Sequence, residues 1–311
     1  MGQLINGSWS EERPGARTKD GQFIREDSPL RDWVEAEPGA KYPAAAGRYH
    51  LYVNVGCPWA YRAVLFRALK GLESVISMSC TQPGMGSQGW TFLNQNGSSS
   101  DSYTGHSHMH QVYTAANGDY TGRVTVPVLW DKERGRIVNN ESAEIIRMLN
   151  SAFAAFSDTD VDYYPESLRG PIDAINERVY ANVNNGVYRA GFAASQSAYA
   201  QACREVFAEL DALDVLLADQ RYLVGDILTE ADWRLFSTLL RFDLAYYPRF
   251  RCNLKRIVDY PNLWAYARDL YQQPRVAGTV DWEAFKGIYW SGQGIIPLGP
   301  EDDWAAPHGR G

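Results

Sequence analysis

Residues 49–62 read Tyr49-His50-Leu51-Tyr52-Val53-Asn54-Val55-Gly56-Cys57-Pro58-Trp59-Ala60-Tyr61-Arg62. The first seven are rich in aromatic and β-branched side chains and predict a buried strand. After Gly56-Cys57-Pro58, apolar residues recur at helical spacing (Val64, Leu65, Ala68, Leu69). Pro58 stands at the first helical position and Gly71 follows the last, the expected punctuation of a helix. Cys57 therefore lies between a strand and a helix, its sulfur beside unpaired N–H groups and the positive end of the helix dipole. Such a setting favours thiolate and can take a thiol from about 8.5 to below neutrality. The strand–Cys–Pro–helix order favours a reactive thiol over a buried packing cysteine. Cys80, Cys203 and Cys252 have no such setting and read as packing residues. Position 60 is Ala, so no second cysteine stands where a dithiol enzyme keeps its resolving thiol. An external thiol such as glutathione would have to finish the cycle.

Outward from this stretch, 75–78 predicts a second strand. A Gly-, Ser-, Asn- and Gln-dense connection follows over 81–122, with a short helix near 110–116. So long a connection in a compact domain is usually functional. Strands are expected over 124–130, interrupted by Pro127, and over 135–138, with a helix from 140 to 149. The order β-α-β-loop-α-β-β-α is that of a thioredoxin-like domain. Proline inside a strand removes a ladder bond. Val126-Pro127 reads either as a cis peptide, with the Val126 backbone open to an extended ligand, or as an edge-strand proline. Glu141-Ser142 opens a helix and reads either as a carboxylate-binding terminus or as an ordinary cap.

From about 166 to 283 the pattern is helical, with helices expected over 172–184, 198–219, 230–246 and 263–271. In Leu228-Thr229-Glu230-Ala231-Asp232-Trp233, Thr229 and Asp232 form a carboxylate variant of the capping box, a structural feature. The expected organisation is an N-terminal extension (1–45), a thioredoxin-like domain (46–156), an all-helical domain (166–285) and a C-terminal tail (286–311).

Composition sets outer bounds. With 311 residues the prior is about two domains, and 45% hydrophobic with 22% charged residues is an ordinary globular balance. Lys+Arg 30 against Asp+Glu 37 gives net charge -7, which argues against a nucleic-acid binder. No apolar run approaches the ~20 residues of a membrane span. The start lacks a basic-then-apolar signal, so the expected location is the cytoplasm. The four cysteines form no closely spaced pair, so neither a disulfide framework nor a zinc site is expected. His106-Ser107-His108-Met109-His110 reads as solvent-exposed loop histidines, with no metal expected. No Ser-His-Asp logic, phosphate loop or dinucleotide fingerprint occurs. Trp 10, Tyr 19 and Phe 11 make the chain rich in flat side chains.

The stretch 54–62 resembles the Cys-Pro-Trp-Ala signature of the xi-class glutathione transferases, the glutathionyl-hydroquinone reductases. So do Gly89-Trp90-Thr91-Phe92, the run 120–131 containing Arg123 and Val126-Pro127, and Ile137-Val138-Asn139-Asn140-Glu141-Ser142. The helical half continues it with Asn185-Gly186-Val187-Tyr188, Tyr222-Leu223-Val224-Gly225-Asp226, Arg241-Phe242-Asp243 and 259–264; Ile296-Pro297-Leu298-Gly299-Pro300 closes it. Gly56 and Tyr61 stand where Ala and His are commonest in that family.

The resemblance implies a glutathione transferase fold, an α/β thioredoxin-like domain followed by an all-α domain. It implies that Cys57 is the nucleophile and that Trp90 flanks glutathione. Arg123 would pair with a glutathione carboxylate, Val126 would bond its backbone, and Glu141 and Ser142 would hold the γ-glutamyl end. Tyr188 and Tyr289 would face the aromatic substrate as hydrogen-bond donors and proton source. Glutathione is then a cosubstrate, no cofactor is permanently bound, glutathionylated hydroquinones are the substrates, and the chain forms a homodimer through its helical domains. A general deglutathionylating thiol transferase using the same Cys57 is the alternative. A noncatalytic carrier of aromatic ligands is the reading from a different class.

Overall fold

A computed structural model describes residues 2–12, 18–94, 98–291 and 302–310. The block 296–300 quoted above lies outside the described residues. The chain divides into two compact units that are not contiguous in sequence. The first comprises Met1–Pro14, Asp27–Val161 and Gly278–Ile295; the second comprises Gly15–Glu26, Asp162–Ala277 and Ile296–Gly311.

The first unit opens with a hairpin of short strands, β1 (Gln3–Ile5) and β2 (Ser8–Ser10). Its main sheet and helices follow the expected order: β3 (Tyr49–Val53), α1 (Pro58–Leu69), β4 (Ser77–Cys80), α2 (Met109–Ala116), β6 (Val128–Asp131), β7 (Arg136–Asn139) and α3 (Ser142–Ser151), while the two-residue β5 (Gly122–Arg123), ahead of β6, pairs with β1 instead. The four-stranded sheet has order β4-β3-β6-β7, with β3 parallel to β4 and the other neighbours antiparallel. All five residues of β3 are buried. Successive strand side chains point to opposite faces, so both faces of β3 are covered. Helices α1 and α3 pack together, and α2 packs on β7. The open edge of β7 is met by residues 30–32: Asn140 N–H donates to the Leu30 carbonyl at 3.0 Å, and Arg31 pairs with Asn139.

Strand β4 begins two residues later than expected. Val75 and Ile76 are buried in the preceding turn, whereas Ser77 and Ser79 carry the ladder beside β3. The reason is His50. Fully buried on β3, it has Nδ1 2.7 Å from Ser77 Oγ and Nε2 2.9 Å from Ser79 Oγ. Burial pushes the imidazole pKa down to about 4. In an unfolded chain the same group titrates near 6.5. A depressed folded pKa gives stability that is complete above about 6.5 and is lost as pH falls toward about 4, about 3 kcal/mol in all. Urea midpoints measured from neutral to mildly acid pH are expected to fall in the native protein and to fall less steeply in His50→Gln.

The second unit is helical: α4 (Arg169–Val179), α5 (Gly186–Gly191), α6 (Gln196–Asp219), α7 (Glu230–Arg241) and α8 (Pro261–Gln272). Helices α4 and α7 each run on into a π-helical turn, Tyr180–Asn184 and Phe242–Tyr246. Every residue of α7 is buried, so it is the central helix. Its first carboxylate is paired inside: Glu230 accepts from Asn176 Nδ2 at 2.9 Å and meets Arg234 at 3.4 Å. The Thr229–Asp232 capping box is formed as the local spacing predicts. Residues 20–25 dock here too, with Phe23 against Phe192 at 5.4 Å and Arg25 Nε donating to Asn185 Oδ1 at 2.8 Å. From the C-terminal segment, Trp304 packs on Trp264 at 4.8 Å. A ninth helix, α9 (Trp282–Trp290), belongs to the first unit.

Candidate active site

Cys57 is the N-cap residue of α1, in extended conformation (φ -73, ψ 121), with Pro58 at the first helical position. All four cysteines are buried. The turn is built by Asn54. Its Oδ1 accepts from Cys57 N–H at 3.1 Å, and its Nδ2 donates to Thr81 Oγ1 at 3.0 Å and to the Gln82 carbonyl at 2.6 Å. Asn54 thus fixes the cysteine's main chain and ties it to the connection after β4. The motif reading passed over it. The available signal was an Asn at a strand end three residues before the cysteine, the geometry of a local side-chain turn.

The tie continues to Trp90. Gln82 N–H donates to the Thr91 carbonyl at 2.8 Å, and Met109 N–H at the start of α2 donates to the Trp90 carbonyl at 2.9 Å. Trp90 is buried, and its indole N–H has no hydrogen-bond partner among the described residues. The histidines next to it are half-buried rather than exposed. His108 caps α2 together with Gln111, and His110 stacks on His108 at 5.3 Å and on Trp9 at 5.0 Å. Packing explains their spacing.

The Val126–Pro127 peptide is cis. Strand β6 starts only at Val128, because proline has no N–H for the ladder. Val126 is buried, and among the described residues neither its N–H nor its carbonyl has a hydrogen-bond partner. Buried main-chain groups are nearly always paired, so this pair is open to an extended ligand. The neighbouring Thr125 is held by Tyr113, whose hydroxyl donates to the Thr125 carbonyl at 3.0 Å and accepts from Asn140 Nδ2 at 3.1 Å. That network brings the Val126 turn to the start of α3. There Glu141 is the N-cap, accepting from Ala143 N–H at 3.1 Å, and its own N–H donates to Asn139 Oδ1 at 2.7 Å. Ser142 is buried and accepts from Arg62 Nη1 at 3.4 Å. Arg62, fully buried on α1, lies 4.7 Å over the Trp59 ring. It links the Cys57 helix to the Glu141–Ser142 turn, a role that no local pattern announces. Arg123 ends β5, where its carbonyl accepts from Tyr120 Oη at 3.2 Å.

Tyr289 lies on α9, in the same unit as Cys57. Gly56 explains the seat of that helix: a Cβ there would stand 2.5 Å from the Ala284 carbonyl and 3.1 Å from Ile288 Cβ. Tyr61 adds a hydroxyl contact to Thr279 Oγ1 at 2.9 Å and an edge-on contact to Phe285 at 5.4 Å. Gly56 and Tyr61, on either side of the Cys57-Pro58 turn, are therefore both where α9 and the residues just before it rest. Tyr188 lies in the helical unit, on α5. Its ring meets Phe250 at 5.3 Å and Tyr246 at 5.9 Å, and the Arg25 guanidinium lies 4.8 Å over it.

The other thiols are electrostatically unsuited to attack. Burial pushes the Cys80 thiol up to about 11 and raises Cys203 and Cys252 as well. Among the described residues there is no group of three or more His, Cys, Asp or Glu able to hold a metal ion, and no helix is long and apolar enough to cross a membrane.

Known proteins resemble this chain over most of its length. The glutathione S-transferase N-terminal domain model matches residues 56–152 and the C-terminal domain model residues 196–269. The glutathionyl-hydroquinone reductase PcpF of Sphingobium chlorophenolicum is 48% identical over 306 residues, covering 96% of each chain. The glutathionyl-hydroquinone reductase YqjG of Escherichia coli is 46% identical over 324 residues, covering 100% of this chain and 98% of that protein. Among solved structures, a xi-class glutathione transferase from Natrialba magadii superposes with TM-score 0.92 at 43% identity, covering 100% of this chain and 96% of that one. The glutathione-bound structure of YqjG superposes with TM-score 0.90 at 44% identity, covering 99% of both.

Proposed function

We infer the chemistry from the premise that this chain belongs to the glutathione transferase family, among the xi-class glutathionyl-hydroquinone reductases. The protein reduces glutathionyl-hydroquinones to hydroquinones at the expense of glutathione. The observation that carries this reading to particular atoms is a single cysteine at the N-terminus of α1 with Ala60, not a second thiol, on the first turn.

In the first step the Cys57 thiolate attacks the sulfur of the aryl thioether. A Cys57–glutathione disulfide forms and the carbon–sulfur bond breaks. The ring carbon keeps the bonding pair and must gain a proton, which a keto tautomer makes feasible. Tyr188 or Tyr289 supplies it as general acid. In the second step a glutathione thiolate attacks the mixed disulfide, releasing oxidised glutathione and restoring the Cys57 thiolate. The sum is one thioether and one glutathione converted to hydroquinone and glutathione disulfide. The helix terminus at Cys57 favours the thiolate in both steps.

Glutathione binding is assigned to Trp90, Arg123, Val126, Glu141 and Ser142. Supporting this are the indole N–H of Trp90 and the main chain of Val126, neither with a hydrogen-bond partner among the described residues, and the helix N-terminus at Glu141–Ser142 suited to a carboxylate. The thiol chemistry is assigned to residues 46–156 and the aromatic walls to 166–285 and Tyr289. A cytoplasmic homodimer serving quinone detoxification completes the reading. Exposed Val215, Ile227 and Leu254 on the helical unit are apolar surface available for association.

The test is incubation with a glutathionyl-hydroquinone, with and without glutathione. Free hydroquinone should be released over many turnovers only when both are present, and without glutathione its yield should stop at about one equivalent per Cys57. Without added glutathione, mass spectrometry should find one glutathionyl adduct, on Cys57, with Cys80, Cys203 and Cys252 unmodified. Faster turnover of small mixed disulfides than of aryl thioethers would favour the general thiol transferase instead.

A further inference from the structure

We propose that the N-terminal β1–β2 hairpin is a positioning clamp for the glutathione site, holding the Trp90 turn through Trp9 and the Arg123 segment through β1. This rests on the assignment of Trp90 and Arg123 to glutathione given above. The hairpin is short, yet it reaches both segments.

Trp9 covers the turn that precedes Trp90. Its indole N–H donates to the Ser87 carbonyl at 2.9 Å. Gly86 and Gly89 close that turn with reciprocal main-chain bonds of 3.1 and 3.0 Å. Gly89 has φ +72, and a Cβ there would stand 2.8 Å from the Trp9 ring. No larger residue would fit beneath the indole in that conformation. On its other contact Trp9 stacks on His110 with ring centroids 5.0 Å apart and planes 21° apart, and His110 Nε2 lies 3.2 Å from Gln88 Oε1. The turn is thus held at Ser87, Gln88 and Gly89, immediately before Trp90.

Strand β1 holds the second segment. Gln3 pairs with Arg123 and Leu4 with Gly122 in antiparallel register, and Leu4 is fully buried. Asn6 N–H donates to Thr121 Oγ1 at 2.8 Å, and Gly7 N–H donates to the Tyr120 carbonyl at 3.0 Å. The pairing sets the main chain of Arg123 from outside the four-stranded sheet. Among the described residues Trp9 has no hydrogen bond or ring contact with a group assigned to the chemistry, so its role is positioning.

Trp9→Ala and Trp9→Phe in the full chain test the clamp. Readouts are glutathione affinity by calorimetry, kcat at saturating glutathione, alkylation of Cys57 by iodoacetamide, and amide exchange over 86–92 and 120–124. Trp9→Ala should weaken glutathione binding about tenfold, about 1.4 kcal/mol, with kcat and the alkylation rate close to native and faster exchange over 86–92. Trp9→Phe keeps a stacking ring and loses only the N–H, so it should recover most of the affinity. Unchanged affinity in Trp9→Ala, or an equal loss in Trp9→Phe, overturns the clamp. If the native protein itself fails to bind glutathione, the site assignment is what fails. The clamp is then judged on exchange alone: faster exchange over 86–92 in Trp9→Ala supports it and unchanged exchange overturns it.

Discussion

Replacement of Cys57 by Ala is expected to reduce hydroquinone release by about 10,000-fold or more, the scale on which loss of a covalent nucleophile is felt. Nothing nearby can substitute. Position 60 is Ala, and the closest thiol in the sheet, Cys80, is held as a neutral thiol by burial, at about 11. The site's frame should survive the change. Asn54 is tied to the Cys57 main chain and not to its sulfur, and it keeps its bonds to Thr81 and Gln82. Glutathione should therefore still bind, while the glutathionyl adduct seen by mass spectrometry disappears. Full activity in Cys57→Ala would refute the thiolate mechanism. Activity lost together with glutathione binding would mean that the cysteine is a structural element of the pocket.

The largest expected effect on stability is at a residue remote from chemistry. Asp232 is fully buried and its carboxylate accepts four bonds: from Leu223 N–H at 2.9 Å, Thr229 N–H at 2.8 Å, Thr229 Oγ1 at 3.0 Å and Tyr266 Oη at 2.8 Å. Asp232→Ala leaves these donors unmatched in the centre of the helical unit. At about 1–3 kcal/mol for each unsatisfied buried group the loss is about 4 kcal/mol or more. Against a typical total of about 5–15 kcal/mol that is a large share. Denaturant midpoints should fall sharply, and Asp232→Asn, which retains one acceptor oxygen, should recover part of the loss.

These two residues also mark what can be read from sequence. Cys57-Pro58 and Thr229 with Asp232 are legible because their chemistry is local, within one turn of a helix. The Leu223 and Tyr266 bonds to Asp232 are not local, and nothing in 228–233 announces them. The same limit explains the shift of β4. Val75 and Ile76 carry the β-branched signal, but the ladder uses Ser77 and Ser79 because His50, on another strand, needs partners for its nitrogens. The hairpin β1–β2 escaped because strands of three residues carry almost no periodicity, and the partner of β1 lies at 122–123. Helix α9 escaped because Gly287 and the aromatic run 282–290 obscure any helical stripe. Asn54 and Arg62 act through partners distant in sequence, Gln82 and Ser142, so only the fold reveals them.

The π-helical turns carry a further implication. Tyr180–Asn184 lies directly ahead of α5, which bears Tyr188, and Phe242–Tyr246 carries Tyr246, against which Tyr188 packs. A π turn holds one residue more than an α turn, and each residue advances a helix by about 100°. The wide turn takes up that extra residue, so deleting it would restore regular hydrogen bonding and leave every later ring on nearly its present face. The extra residue instead widens the backbone locally, beside Tyr188 at one turn and at Tyr246 in the other. Lineages of such enzymes could gain or lose it and reshape the helix wall while the aromatic side chains beyond keep their direction.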